Sequence, residues 1–326
     1  MNKKMIPAIL GLWVGLSGVY GSSSWAAEDA QRFRDVSPAH WGYAAIEWAS
    51  GQGMIYGDPD GRFRPDDKVG QEEFLAMLLR AYRPDGFKEG DPGSPALWFT
   101  AYTGYWNRLG WRLIDSPDVN SPVTLSRGQA ARIAANAAGK ELGIRDAVQF
   151  LLQHGLAEGR TANDFGGFGA GESLTRAEAV TFIQRLKRFL PRVERNTEEA
   201  LVYADPQFRF KLRLPAYWKD AYEVEKQEGQ GGTLAQVHFI HTPNQAGGGV
   251  LFSVLVLSQE SWEVEGQQLL ELGGSHITQL GEREGCVFLF ITPSDVQFSL
   301  DDEEKKTDYM SMSDDLGAIK SSFAVH

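Results

Sequence analysis

One unit occurs three times in this chain at a period of about 50 residues: a run of apolar residues at helical spacing, a glycine-bearing loop, then the opening of a second helix. Such an array constrains the fold strongly. A single unit cannot bury its own apolar face, so neighbouring units must pack on one another. In the first unit Trp41, Ala44, Ala45, Trp48 and Ala49 recur at helical spacing behind Ser37-Pro38, and the helix is expected to stop near Gly51 or Gly53. Asp58-Pro59-Asp60-Gly61 is turn chemistry: Asp bonds its own downstream backbone, Pro fixes φ, and Gly accepts positive φ. A second helix is expected over about Gln71 to Tyr82, with Leu75, Leu78, Leu79 and Tyr82 on one face. The third unit repeats the order, His154 to Gly159 paralleling Gln52 to Gly57. The middle unit, "WNRLGWRLIDSPDVNSPVTLSRGQAARIAANA", keeps Gly110, a proline-bearing loop and a helix start. Second helices therefore open at Gly70, Ser126 and Thr175.

The aspartate-rich loop of the first unit invites a metal reading, which its spacing rejects. A helix–calcium loop–helix motif needs oxygen ligands at loop positions 1, 3 and 5, glycine at 6 and glutamate at 12. Counted from Asp58, Gly61, Arg62 and Val69 stand at positions 4, 5 and 12. No metal and no cofactor are expected.

Lys3 and Lys4 precede an apolar run from Met5 to Tyr20, followed by small residues at Ser24 and Ala26, the pattern of an export signal over residues 1–26. The run is shorter than the roughly 20 residues that span a bilayer, so no membrane contact is expected after cleavage. The single cysteine, Cys286, lies far from that segment and has no disulfide partner. Charge is uneven. Ala27 to Asn196 carries net −1, with 17 arginines among its 21 basic residues, whereas Thr197 to His326 carries net −12. Neither half has the basic surplus that nucleic acid or an anionic membrane surface attracts.

"FRDV" at 33–36, "HW" at 40–41, "AAIEWASGQGMIYGDPDGRFRPDD" at 44–67 and "LTRAEAVTFIQRL" at 174–186 resemble the S-layer homology module of bacterial surface proteins. The resemblance extends over residues 31–190 as three modules, about 31–85, 95–139 and 140–190, the second degenerate. It implies a mostly α-helical, pseudo-trimeric bundle whose grooves bind secondary cell-wall polysaccharide, in many relatives a pyruvylated one, in Gram-positive bacteria. A pyruvyl ketal presents a carboxylate beside a sugar ring, so its receptor needs a bidentate cation, polar groups and an aromatic surface. Carried across by position, Thr175, Arg176 and Glu178 match "TRAE", with Arg176 the first choice for the carboxylate and Arg127 the second. In the first module Gly70-Gln71-Glu72-Glu73 lacks the arginine. Asp35, Trp41, Gly57 and Asp58 match groove or groove-supporting positions. Trp41 reads equally well as a core aromatic, Trp48 better as one, and Asp35 as a helix cap.

Residues 191–202, "PRVERNTEEALV", read as a linker, and 203–326 as an α+β domain with an antiparallel sheet. Phe208, Phe210, Leu212 and Leu214 alternate with basic residues as a half-buried strand does, and "LAQVHFIHT", "GVLFSVLVLS" and "CVFLFIT" supply further strands. "WEVEGQQLLELGG" reads as a helix, and Asp301 to Glu304 as an acidic helix start. "FRFKLRLPAYW" and "PSDVQF" resemble small domains of the photosystem oxygen-evolving-subunit type, a likeness that carries no function. His238 and His241, three apart on a strand, point to opposite faces, and no metal-hydrolase signature is present. The chain is therefore expected to be an exported, non-enzymatic surface protein with an interaction or structural payload. The rival reading is a wall-anchored hydrolase with its carboxylates in the acidic domain. The charged join predicts that the two parts fold separately.

Overall fold

The computed structural model describes residues 32–89, 100–111 and 124–326. The export segment, and most of the middle unit's loop, lie outside the described residues.

The first half is helical: α1 (Tyr43–Gly51), α2 (Gln71–Tyr82), α3 (Thr100–Arg108), α4 (Arg127–Ala137), α5 (Ile144–Gln153), the single turn α6 (Phe165–Phe168) and α7 (Arg176–Phe189). Gly70, Ser126 and Thr175 are the N-caps of α2, α4 and α7. Ser126 with Gln129, and Thr175 with Glu178, close reciprocal capping boxes that satisfy two backbone donors otherwise left open at a helix start.

Just before these caps, the chain meets itself three times. Val69 N–H donates to Leu174 O (3.0 Å), Leu174 N–H to Leu125 O (2.9 Å), and Leu125 N–H to Val69 O (2.9 Å). The three residues are fully buried at the centre of one apolar core that runs from Phe33 to Leu186. Each long helix pairs with a helix of another unit: α7 with α1, α4 with α5, and α2 with α3.

The second half has its own core, from Phe210 to Ile319. A three-stranded antiparallel sheet has the order β1 (Leu201–Ala204), β2 (Phe210–Leu214), β8 (Ala324–Val325). A five-stranded antiparallel sheet has the order β3 (Tyr222–Glu228), β4 (Thr233–His241), β5 (Val250–Ser258), β7 (Cys286–Ile291), β6 (Ile277–Arg283). Helix α8 (Gln259–Gly273) packs on β5, β6 and β7, and α9 (Glu303–Ser313) and α10 (Leu316–Ser321) join the other layer. The stacked rings of Phe239, Phe252 and Phe290 fill the space between layers. Strand β1 begins inside the stretch expected to be linker; β3 and β6 were not expected as strands.

The halves also touch directly. Arg132 of α4 donates to Ser311 O (3.0 Å) and to the Asp315 carboxylate (2.9 Å). That carboxylate also accepts from the Tyr217 hydroxyl and from Trp218 Nε1 (3.3 Å), and only 1% of the Asp315 side chain is exposed. Gln129 donates to Asp314 (3.2 Å), Ile144 N–H to Ser311 Oγ (3.0 Å), and Arg145 pairs with Asp308.

Candidate functional site

A groove of about 380 Å³ runs along the α1–α7 pair. One wall is Trp41, Ala44 and Ala45; the other is Glu178, Thr181, Phe182 and Arg185 of α7, with Arg188 beyond them, and Glu158 to Arg160 close one end. Trp41 is 63% exposed and stacks on His40, ring centroids 5.5 Å apart. It is not a core residue, whereas Trp48 packs against the core. Gly42 makes this turn possible: its N–H donates to His40 Nδ1 (3.0 Å), and a Cβ there would crowd both that ring and Ala177.

Arg127 forms the floor. Its Nε donates to Phe168 O (2.9 Å), Nη1 to Glu178 Oε1 (2.6 Å) and Nη2 to Glu158 O (2.9 Å), while its plane lies 4.5 Å from the Phe168 centroid. Burial lowers its pKa, and the Glu178 charge works against that. All three nitrogens are thus spent inside the protein. Glu178 is equally committed: Oε2 accepts from Thr175 N–H (2.9 Å) and Oε1 from Arg127 and from Arg160 (2.9 Å). The accessible cations are Arg160, which also pairs with Glu172; Arg185, which pairs with Glu158 at 2.9 Å; and exposed Arg188, which has no ion-pair partner among the described residues.

Trp41, Arg127 and Glu178 are thereby brought into one groove, with Thr175 as the cap beneath. Arg176 leaves α7 on another side. Its Nε donates to Phe63 O (2.8 Å), its guanidinium lies 4.8 Å from the Phe63 ring centroid, and it pairs with Glu73. Burial lowers its pKa, opposed by Asp58 and Asp67. Asp35, Gly57 and Asp58 surround the same loop. The Asp35 carboxylate accepts from Phe63 N–H (2.8 Å) and Arg64 N–H (2.7 Å), clamping a loop rather than capping a helix. Those two bonds hold its pKa below the usual range although burial pushes the other way. Asp58 N–H donates to Arg62 O (2.8 Å) and its carboxylate pairs with Arg64. Gly57 admits no side chain, because a Cβ would lie 2.6 Å from the Phe33 ring. A polar cleft of about 490 Å³ opens here, lined by Arg34, Asp35, Asp60, Arg62 and Arg64 to Asp67.

Arg160, Arg185 and Arg188 were not singled out from the sequence. A signal for Arg160 was available, since it follows Gly159 as Asp58 follows Gly57 in the parallel between units. In the second half the histidines do not converge: His241 is buried against Asn244, His238 bonds Ser253, and His276 bonds Thr292.

Residues 32–75, which hold the exposed tryptophan and the clamped loop, match the family model of the S-layer homology domain. The chain thus carries an S-layer homology domain at residues 32–75. A 56-residue stretch is 38% identical to Cell surface glycoprotein 1 of Acetivibrio thermocellus, covering 17% of this chain and 2% of that protein's length. No helix among the described residues is long and apolar enough to cross a membrane.

Proposed function

We propose that this is a surface protein held non-covalently to the cell wall, with the α1–α7 groove as its site for secondary cell-wall polysaccharide and the second half as a non-enzymatic payload. The carrying observation is Trp41, a large aromatic 63% exposed beside three arginines at a groove edge. An exposed indole face costs hydration free energy unless something covers it, and a sugar ring flanked by an acidic substituent covers it with complementary chemistry. The cyclic bonds among Val69, Leu125 and Leu174, with three helix pairs around them, support a pseudo-trimeric bundle of three modules, residues 31–190. The S-layer homology match, and the likeness to a cell surface glycoprotein, support a surface location. Arg160, Arg185 and Arg188 replace Arg176 and Arg127 as the proposed anion partners, because the latter two are more deeply buried, Arg127 at 3% and Arg176 at 17% side-chain exposure against 36% for Arg160 and 30% for Arg185.

The test is sedimentation of full-length protein with purified walls, with and without the pyruvylated polymer. Wild type is expected to pellet only with polymer-bearing walls, and Trp41→Ala with Arg188→Ala to stay in the supernatant. Equal pelleting of that double variant would remove the groove from the proposal.

A further inference from the structure

The slot between α4 and α5 is the internal counterpart of the α1–α7 groove. Counting from the N-caps Ser126 and Thr175, Gln129 and Arg132 occupy the places on α4 that Glu178 and Thr181 occupy on α7. Gly143, the N-cap of α5, answers to Gly42, the N-cap of α1, so Arg145 and Asp146 answer to Ala44 and Ala45. On α7 and α1 these places line the open groove. On α4 and α5 they meet the second half of the chain: Gln129 bonds Asp314, Arg132 bonds Ser311 and Asp315, Ile144 bonds Ser311, Arg145 pairs with Asp308, and the Tyr217 ring packs against Gly143.

The slot between α2 and α3 is filled as well, by the chain that follows α2. Phe87 packs its ring on Tyr102 and Tyr105 (5.3 and 5.4 Å), and Glu89 takes Arg80 (2.5 Å) and the Tyr102 hydroxyl (2.7 Å).

We propose that the C-terminal domain is the resident occupant of the α4–α5 slot, its Ser311 to Asp315 turn sitting where an external ligand would otherwise enter. The chain then offers an external saccharide one groove rather than three. The chemistry is that of an acidic ligand on a basic receptor: the buried Asp315 carboxylate receives one guanidinium and one indole N–H from buried residues and one phenol from partly buried Tyr217. Local charge complementarity reinforces it, since Arg132 and Arg145 of the slot face Asp308, Asp314 and Asp315 of the second half. The stoichiometry rests on the saccharide reading of the α1–α7 groove; the docking does not.

Hydrogen exchange on the full chain tests the docking. Ile144 is the first residue of α5, so its N–H has no partner within the helix and owes protection to Ser311 Oγ. In wild type it should exchange as slowly as the amides inside α5. In Asp315→Ala it should speed up at least 100-fold while Leu151 and Val180 stay protected, and in the milder Ser311→Ala at least 10-fold. Calorimetric titration with a purified pyruvylated wall-polysaccharide fragment should give one equivalent per wild-type chain. Fast exchange of Ile144 in wild type, or two or more equivalents bound, would overturn the proposal. No binding at all would sink the saccharide reading, and the exchange result would still decide for or against the docked domain.

Discussion

The α1–α7 groove and the α4–α5 slot are built on the same helix-pair geometry and differ in what their cations face. In the slot, Arg132 is 7% exposed and its carboxylate partner 1%; in the groove, Arg160 is 36% exposed and its partners include Glu172 at 54%. A buried guanidinium must have its carboxylate supplied by the protein, because water is absent to compensate it. A rim guanidinium is under no such constraint and stays available to something arriving from outside. Burial, more than residue type, separates a cation that holds the fold from one that can hold a ligand.

The sharpest way to break the comparison is to delete one arginine from each place. Arg132→Ala should lower unfolding free energy by about 3–5 kcal/mol, because it strands Asp315. Arg160→Ala should cost under about 1 kcal/mol, as exposed pairs do. Denaturant melts of both variants measure the contrast, and equal losses would erase it. Arg176→Ala falls between them. Since its donors go to Phe63 O and Glu73, it should destabilise by roughly 1.5–3 kcal/mol while wall pelleting by the folded fraction stays unchanged.

Acid sharpens the comparison further. Burial pushes Asp314 up to about 6, with Arg132 and Gln129 opposing and Asp315 adding to the rise; burial also pushes Asp308 up to about 6, opposed by Arg145 and reinforced by Asp146 and Glu304. Carboxyls with a raised folded pKa contribute stability that is fully present below the ordinary value of 3.8 and is lost as pH rises through about 6. Docking, read from Ile144 exchange, should therefore tighten between pH 7.5 and 4.5 by about 2 kcal/mol for each of the two carboxyls, and Asp314→Asn should remove about half of that slope. Neither of these two carboxyls lines the open groove. The smallest effect is expected there: Trp41→Ala should leave the melt within about 0.5 kcal/mol of wild type and weaken polysaccharide binding by about 0.5–1.5 kcal/mol.

Local chemistry was readable in advance. The apolar face of Gln71 to Tyr82 and the capping box in "TRAE" each specify a helix from neighbours in sequence, and the helices stand there. Strand β3, "YEVEKQE", was missed because it is an edge strand whose core-facing alternation is confined to Tyr222 and Val224, with Lys226 and Glu228 continuing that face as exposed polar residues. The roles of the arginines were harder. A helix-start arginine reads as a surface cation, and nothing near Arg127 or Arg176 in sequence announces Phe168 or Phe63 beneath them. Arg132 in "AARIAANA" finds Asp315 across 183 residues, a distance that no periodicity spans. The sequence reading of a plain charged join missed this contact for the same reason.

The cyclic bonds among Val69, Leu125 and Leu174 carry a kinetic consequence. Each residue both gives and receives, so no two of them complete the set, and the chain between successive members is about 50 residues long. The entropy of bringing three distant segments together must be met before the last bond forms. The triad should therefore assemble late, after the individual helix pairs, and a ribosome-bound chain that ends before Leu174 should leave the amide of Val69 and the carbonyl of Leu125 unanswered. Synthesis order and closure order thus coincide: the strand that completes the set is the last of the three to emerge.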